Sequence, residues 1–189
     1  MKPAGSLFVR FSGCVALLAL GACASSPPPM PAASLRPLVA PASLGGERVV
    51  NQVVRGAFGP RELTFNCVVT VQDGAMTLVG MNSLGARLFT IRYDGKAVQS
   101  ETAPAPQGLM PERLLADIQL VFWPFASLEN PMREAGWQLS ETSPGIRRLR
   151  HGDQLIAEAH YGSEDPWSGR SWLVNFEYGY SLQIDSQPM

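Results

Sequence analysis

The sequence predicts a mainly β (α+β) fold, an antiparallel sheet of about ten strands that curls toward a barrel and is interrupted once by helices. Three observations predict it. Apolar residues recur with a period of two over most of the chain beyond residue 47. Asp-Gly and related turn pairs punctuate those runs at hairpin spacing. Between Pro111 and Ala135 alone, the apolar spacing becomes that of a helix.

From the start of the chain, Lys2 and Arg10 precede an apolar stretch, Val15 to Leu20, far too short to span ~30 Å of hydrocarbon. Leu20-Gly21-Ala22-Cys23 then resembles the lipobox of bacterial lipoproteins. The resemblance implies that residues 1–22 are a signal peptide, that Cys23 is acylated, and that membrane lipid holds the chain through it. An ordinary secretory signal ending in cysteine is the alternative. Gly13-Cys14 competes poorly, because almost no apolar run precedes it. Ala24 stands where an aspartate tends to retain enterobacterial lipoproteins in the inner membrane. It therefore points to the outer membrane of a Gram-negative bacterium, facing the periplasm.

Residues 23–46 read as the lipidated cysteine and a Pro/Ala-rich tether, carrying Pro27, Pro28, Pro29, Pro31, Pro37 and Pro41. Extended proline-rich backbone rises ~3.1 Å per residue, so the tether predicts a stand-off of up to ~60 Å and no recognition role.

Residues 47–189 form the barrel domain. Val49 to Val54 is its first apolar run. Leu63, Phe65, Cys67, Val69 and Val71 alternate with Thr64, Asn66, Val68, Thr70 and Gln72 before Asp73-Gly74. Met76, Leu78 and Gly80 continue as the next strand, with a break at Asn82 to Gly85. Leu88 to Tyr93 and Lys96 to Thr102 pair across Asp94-Gly95. After a loop with Pro104 and Pro106, Pro111 suits the first turn of a helix. Leu114, Leu115, Ile118, Val121 and Phe122 share one face of it, and Pro124 stops it. Ala116, Leu120 and Trp123 make the other face apolar too, so the helix predicts cover on both sides. A second helix is expected over Ser127 to Ala135, ended by Gly136. Strands resume at Trp137 to Glu141, Ile146 to Arg150, Leu155 to Tyr161, Ser171 to Glu177 and Tyr180 to Asp185.

Composition narrows the function. Beyond position 22 there are thirteen basic and sixteen acidic residues, a net charge of −3, and Lys96 is the one lysine. Nucleic acid, which needs clustered positive charge, is excluded as a partner. With Cys14 removed and Cys23 acylated, Cys67 has no partner within the chain and reads as a small core residue. His151 and His160 lack zinc-ligand spacing, and no nucleophile elbow or phosphate-cradling glycine loop occurs. The sequence therefore gives no catalytic residue, no metal site and no cofactor. A serine-histidine-carboxylate set assembled in space stays open as a hydrolase reading.

At two places the residues resemble LolB, the outer-membrane lipoprotein receptor, and its periplasmic carrier relative LolA. Gln52-Val53-Val54-Arg55-Gly56-Ala57-Phe58 looks like the opening LolB strand with its arginine-glycine pair. Leu78-Val79-Gly80-Met81-Asn82-Ser83-Leu84-Gly85 looks like the hairpin that carries a leucine-glycine pair. The resemblance implies a half-open barrel whose helical insertion acts as a lid over an apolar cavity for acyl chains. It implies that Leu84 protrudes as a membrane-insertion residue; a leucine folded back onto the barrel is the alternative. Partners would be an acyl chain or lipoprotein cargo and a LolA-like periplasmic carrier. The segment Leu114 to Phe125 and the ending Asn175 to Leu182 look more like a group of uncharacterised outer-membrane lipoproteins, a domain-of-unknown-function family. Genes of that group often sit with fatty-acid-type or aryl-polyene biosynthesis genes, which implies an acyl cargo.

The candidate cavity lining from the strands is Phe65, Val69, Met76, Leu78, Phe89 and Ile91. From the helix it is Leu114, Leu115, Ile118, Val121 and Phe122. Strand inner faces look alike in filled and hollow barrels, so the pattern leaves the interior open. A filled interior would favour an interaction protein that docks an envelope biosynthesis or assembly partner. Trp123, Trp137, Trp167 and Trp172 read as core pillars. Arg147, Arg148 and Arg150 read as a solvated edge strand.

Overall fold

The computed structural model describes residues 35–102, 110–142 and 145–189. The signal segment, Cys23 and the loop with Pro104 and Pro106 lie outside them.

Ten strands form one continuous antiparallel sheet: β1 (Arg48–Phe58), β2 (Arg61–Gln72), β3 (Ala75–Met81), β4 (Arg87–Tyr93), β5 (Val98–Thr102), β6 (Trp137–Thr142), β7 (Ile146–His151), β8 (Gln154–Tyr161), β9 (Gly169–Asn175) and β10 (Tyr180–Pro188). Their order across the sheet is β5-β4-β3-β2-β1-β10-β9-β8-β7-β6. Two five-strand meanders are thus joined by one long pairing, β1 with β10, running from Val50↔Pro188 to Phe58↔Tyr180. Between β5 and β6 lies the insertion, α1 (Pro111–Phe122) and α2 (Phe125–Glu134). It connects the two strands that have no outer neighbour, which is why the sheet stays open there and helices occupy the gap.

Period-two burial is clearest in β1, where Val50, Gln52, Val54 and Gly56 turn inward. The inner faces of both meanders and α1 share a single apolar core, so the sheet curls around the helix. Leu115 through Trp123 are all buried, as a helix apolar on both faces requires. Pro111 starts α1 where a missing N–H costs nothing. Trp123 leaves the helical conformation before Pro124, which disfavours helix in the residue ahead of it.

The curl needs local accommodation between β3 and β4. Their register shifts at Gly80/Met81, and the Phe89 ring lies over Gly80. A Cβ built on Gly80 would come within 2.3 Å of that ring. Phe65 meets the same ring edge-on at 5.9 Å.

Two expectations are corrected here. Residues from Leu35 onward are not spacer: Arg36, Val39, Pro41 and Leu44 are buried, and Pro41–Leu44 forms a 3₁₀ turn before β1. Nor is Arg147 solvated. β6 is the edge strand, β7 lies inside it, and Arg147 is 5% exposed.

Candidate functional site

The chemistry of the fold gathers around α1, because that helix carries polar groups into an apolar interior. Asp117 and Gln119 are both buried, at 2% and 0% exposure. Each needs partners, since an unpaired buried polar group costs ~1–3 kcal/mol. The segment 35–46 provides them as a strap running alongside α1 in the same direction. Arg36 pairs with Asp117 Oδ1. Gln119 donates to the Val39 carbonyl at 2.8 Å and accepts from the Val39 N–H at 2.9 Å, mimicking one rung of a sheet. Trp123 Nε1 donates to Ser43 Oγ at 3.1 Å, and Ser127 Oγ donates to the Ser43 carbonyl at 2.7 Å.

The same helix is also tied to the sheet. Tyr180 from β10 donates its hydroxyl to Asp117 Oδ2, and Asn175 Nδ2 donates to the Tyr180 oxygen at 3.1 Å. Burial, then the adjacent Asp117 charge, raises the Tyr180 pKa. At the far end of the helix, Arg147 Nη1 donates to the carbonyls of Leu120 and Trp123, both at 2.8 Å. Those carbonyls lack helical partners, and a cation suits the negative end of the helix dipole. Glu141 completes the arrangement by accepting from Arg147 Nη2 at 2.9 Å. Tyr161 donates to the Val121 carbonyl at 2.8 Å, and burial pushes its phenol up to about 12.

All eleven residues expected to line the interior belong to, or pack against, this one core. Val69, Met76, Leu78, Phe89, Ile91, Leu115, Ile118, Val121 and Phe122 are buried; Phe65 and Leu114 are half-buried. The best-formed concavities among the described residues lie elsewhere. One is about 10 Å³, beside Leu35, Arg36, Arg113 and Tyr178. The other is an open depression of about 400 Å³ along Asn51, Val53 and Asp185. Neither concavity is lined by any of those eleven residues.

Leu84 protrudes, at 90% exposure. The turn is built to hold it there. Asn82 Oδ1 accepts from the N–H groups of Leu84 and Ala86 at 3.0 and 2.9 Å, and Gly85 takes the left-handed φ of +78° that closes the loop.

The remaining candidates stay apart. His160 binds Glu158 at 2.6 Å, and His151 stacks on Trp137. Burial opposes the charge on Glu158, but hydrogen bonds from His160 and Arg148 outweigh it and lower its pKa. Neither histidine hydrogen-bonds a serine among the described residues. Burial raises the Cys67 thiol to about 12, so it is a core residue of low reactivity. Trp123, Trp137 and Trp167 are buried pillars, whereas Trp172 is 38% exposed. No group of histidine, cysteine and carboxylate suited to a metal occurs among the described residues. No helix among them is long and apolar enough to cross a membrane.

Sequence reasoning missed the strap and its partners. The doubly apolar character of α1 signals that no face is free, but nothing local says that Asp117 and Gln119 find their partners in residues 35–46.

Fold and site together define a class: a half-open antiparallel sheet of ten strands, curled around a helix that a preceding strap clamps in place. Within that class, the chain belongs to the family described as protein of unknown function (DUF3261), whose model matches residues 49–188. No curated protein matches the chain. Among solved structures, it is similar to a LolA superfamily protein from Nitrosomonas europaea at 10% identity, covering 80% of this chain and 92% of that one with a TM-score of 0.40. It is also similar to a DUF1329 family protein from Desulfovibrio piger at 8% identity, covering 78% and 87% of the two chains with a TM-score of 0.35.

Proposed function

We propose that this protein is a non-enzymatic envelope lipoprotein that binds lipid acyl chains. It is anchored in the outer membrane through acylated Cys23 and faces the periplasm. The observation that carries the reading is α1 itself. Its polar side-chain ties run to the strap, to Tyr180 and to Arg147. Among the described residues no side-chain hydrogen bond joins α1 to β2, β3 or β4, whose inward residues belong to the same apolar core. Dispersion and hydrophobic contact are non-directional, so hydrocarbon can replace that surface without leaving a hydrogen bond unmade. Each methylene moved from water gains ~0.8 kcal/mol, enough to offset the displacement of a few helix side chains by a long chain.

In this reading the structure is the closed form. An acyl chain enters between α1 and the sheet, lined by Phe65, Met76, Leu78, Phe89, Leu114 and Ile118, at the edge left open beside β5. Leu84 is the membrane-insertion residue, and a LolA-like periplasmic carrier is a candidate donor. Purified full-length protein incubated with fatty acids of several lengths tests it. Native mass spectra are expected to show one bound chain per protein; uniform failure across lengths rejects the proposal.

That the best-formed concavities are lined by other residues favours a second reading, in which the barrel is solid and the protein docks an envelope biosynthesis or assembly partner. The two separate in the same experiment, because a solid barrel takes up no acyl chain.

A further inference from the structure

Seven large apolar side chains are exposed among the described residues, and five of them lie at one end of the sheet: Leu35, Phe58, Leu84, Met110 and Phe176. The strand order places them together. Phe58 ends β1 opposite Tyr180, Leu84 follows β3, and Phe176 follows β9. Met110 precedes α1, and Leu35 begins the strap beside Tyr178. The chain enters the described fold at this end too. The turns at the other end include Asp73-Gly74, Asp94-Gly95-Lys96 and the connection from β8 to β9.

Within that end lies the 10 Å³ notch, the volume of about one oxygen atom or one water. Two of the residues that line it each carry a buried donor with no acceptor among the described residues: Nη1 of Arg36 and Nε of Arg113. The Arg36 side chain is only 4% exposed, and its other terminal nitrogen is held by Asp117. Arg113 is fixed with its guanidinium carbon 3.2 Å from the centroid of the Tyr178 ring. Buried guanidinium donors are almost always paired, so two orphaned ones on one notch mark a place for an acceptor. Glu112 and Glu177 line the same notch. Together with Asp117 they make the surroundings unsuited to a strong anion alone. Donors for a phosphate beside carboxylates for an ammonium instead match a zwitterionic head group.

We propose that this end of the protein docks on a phospholipid bilayer and that the Arg36–Arg113 notch takes a phosphate oxygen of a phosphoethanolamine head group. In that pose the ammonium faces Glu112 and Glu177, and the five apolar side chains enter the interface around it. The inference rests on the reading of Leu84 as a membrane-facing residue.

The test uses the full-length chain carrying Cys23→Ser, so that acylation plays no part. Flotation is measured with three kinds of vesicle: phosphatidylethanolamine mixed with phosphatidylcholine, phosphatidylcholine alone, and a phosphate-free digalactosyl lipid. Affinity is expected to fall in that order. Arg113→Gln should weaken binding to the ethanolamine vesicles by about tenfold, as loss of a charge-assisted contact does, and leave the galactolipid result unchanged. Leu84→Ser should weaken binding to all three. Equal binding to all three vesicles, or no effect of Arg113→Gln, would mean that the notch holds only water, and would overturn this inference while the reading of Leu84 stands. Binding of inorganic phosphate in solution without head-group preference on vesicles would overturn it likewise. No vesicle binding by the parent protein would overturn both.

Discussion

Removing the Asp117 charge tests how the strap holds α1. In Asp117→Asn the side chain keeps its volume but leaves Arg36, 4% exposed, without its counter-ion. It also turns the Tyr180 hydroxyl toward a weaker acceptor. Breaking a buried ion pair by removing one partner costs ~3–5 kcal/mol, a large part of the ~5–15 kcal/mol that a domain of this size has in total. At ~2–4 °C per kcal/mol for a domain of this length, Tm is expected to fall by roughly 6–20 °C. The assay is urea unfolding followed by tryptophan fluorescence, which reports the strap directly because Trp123 donates to Ser43. The double replacement Arg36→Met/Asp117→Leu should recover much of the loss, because apolar side chains of similar volume avoid the desolvation penalty. A loss below ~1 kcal/mol in Asp117→Asn, with no coupling in the double-mutant cycle, would refute the buried pair and the clamped strap with it.

Other predictions concern single contacts. Gly80→Ala should destabilise by ~1–3 kcal/mol because its methyl would overlap the Phe89 ring, and Phe89→Leu in the same chain should relieve part of that cost. Arg147→Met should cost ~2–4 kcal/mol, since it uncaps the Leu120 and Trp123 carbonyls, whereas Arg150→Met on the exposed side of β7 should stay within ~0.5 kcal/mol. The phenols of Tyr180 and Tyr161 are raised in the folded state, so the proton favours the fold. Stability should hold below the ordinary tyrosine range near pH ~10 and fall as pH climbs from there toward about 12. Spectrophotometric titration should find both phenols ionising only with unfolding, and a flat stability profile across that window would contradict their burial. Cys67 should resist thiol reagents in the native protein and react on unfolding.

Much of this fold was legible in the sequence because strands and hairpins announce themselves locally. The alternation from Leu63 to Val71, closed by Asp73-Gly74, became β2 and its turn. The helical run from Pro111 to Phe122 became α1 within its expected bounds. The ending from Tyr180 ran three residues longer than its apolar pattern, to Pro188, because β1 supplies a partner throughout. What escaped depends on contacts distant in sequence. Nothing local distinguishes a proline-rich spacer from a proline-rich strap; the difference is Arg36 finding Asp117 and Val39 finding Gln119, some eighty residues away. Arg147 was misread for the same reason, since its partners are helix carbonyls that only the curled sheet brings near. Whether the interior is open could not be read from strand faces at all, because it is decided by how deeply α1 sits.

The central claim is that hydrocarbon enters between α1 and the inner face of the sheet, and photo-crosslinking tests it most directly. A fatty acid bearing a diazirine near its end would be bound to the full-length Cys23→Ser protein, irradiated, and mapped by peptide mass spectrometry. The account predicts adducts concentrated on Phe65, Met76, Phe89 and Leu114, abolished by excess unlabelled fatty acid. Adducts confined to outward-facing residues such as Trp172, or spread over the surface without competition, would contradict it.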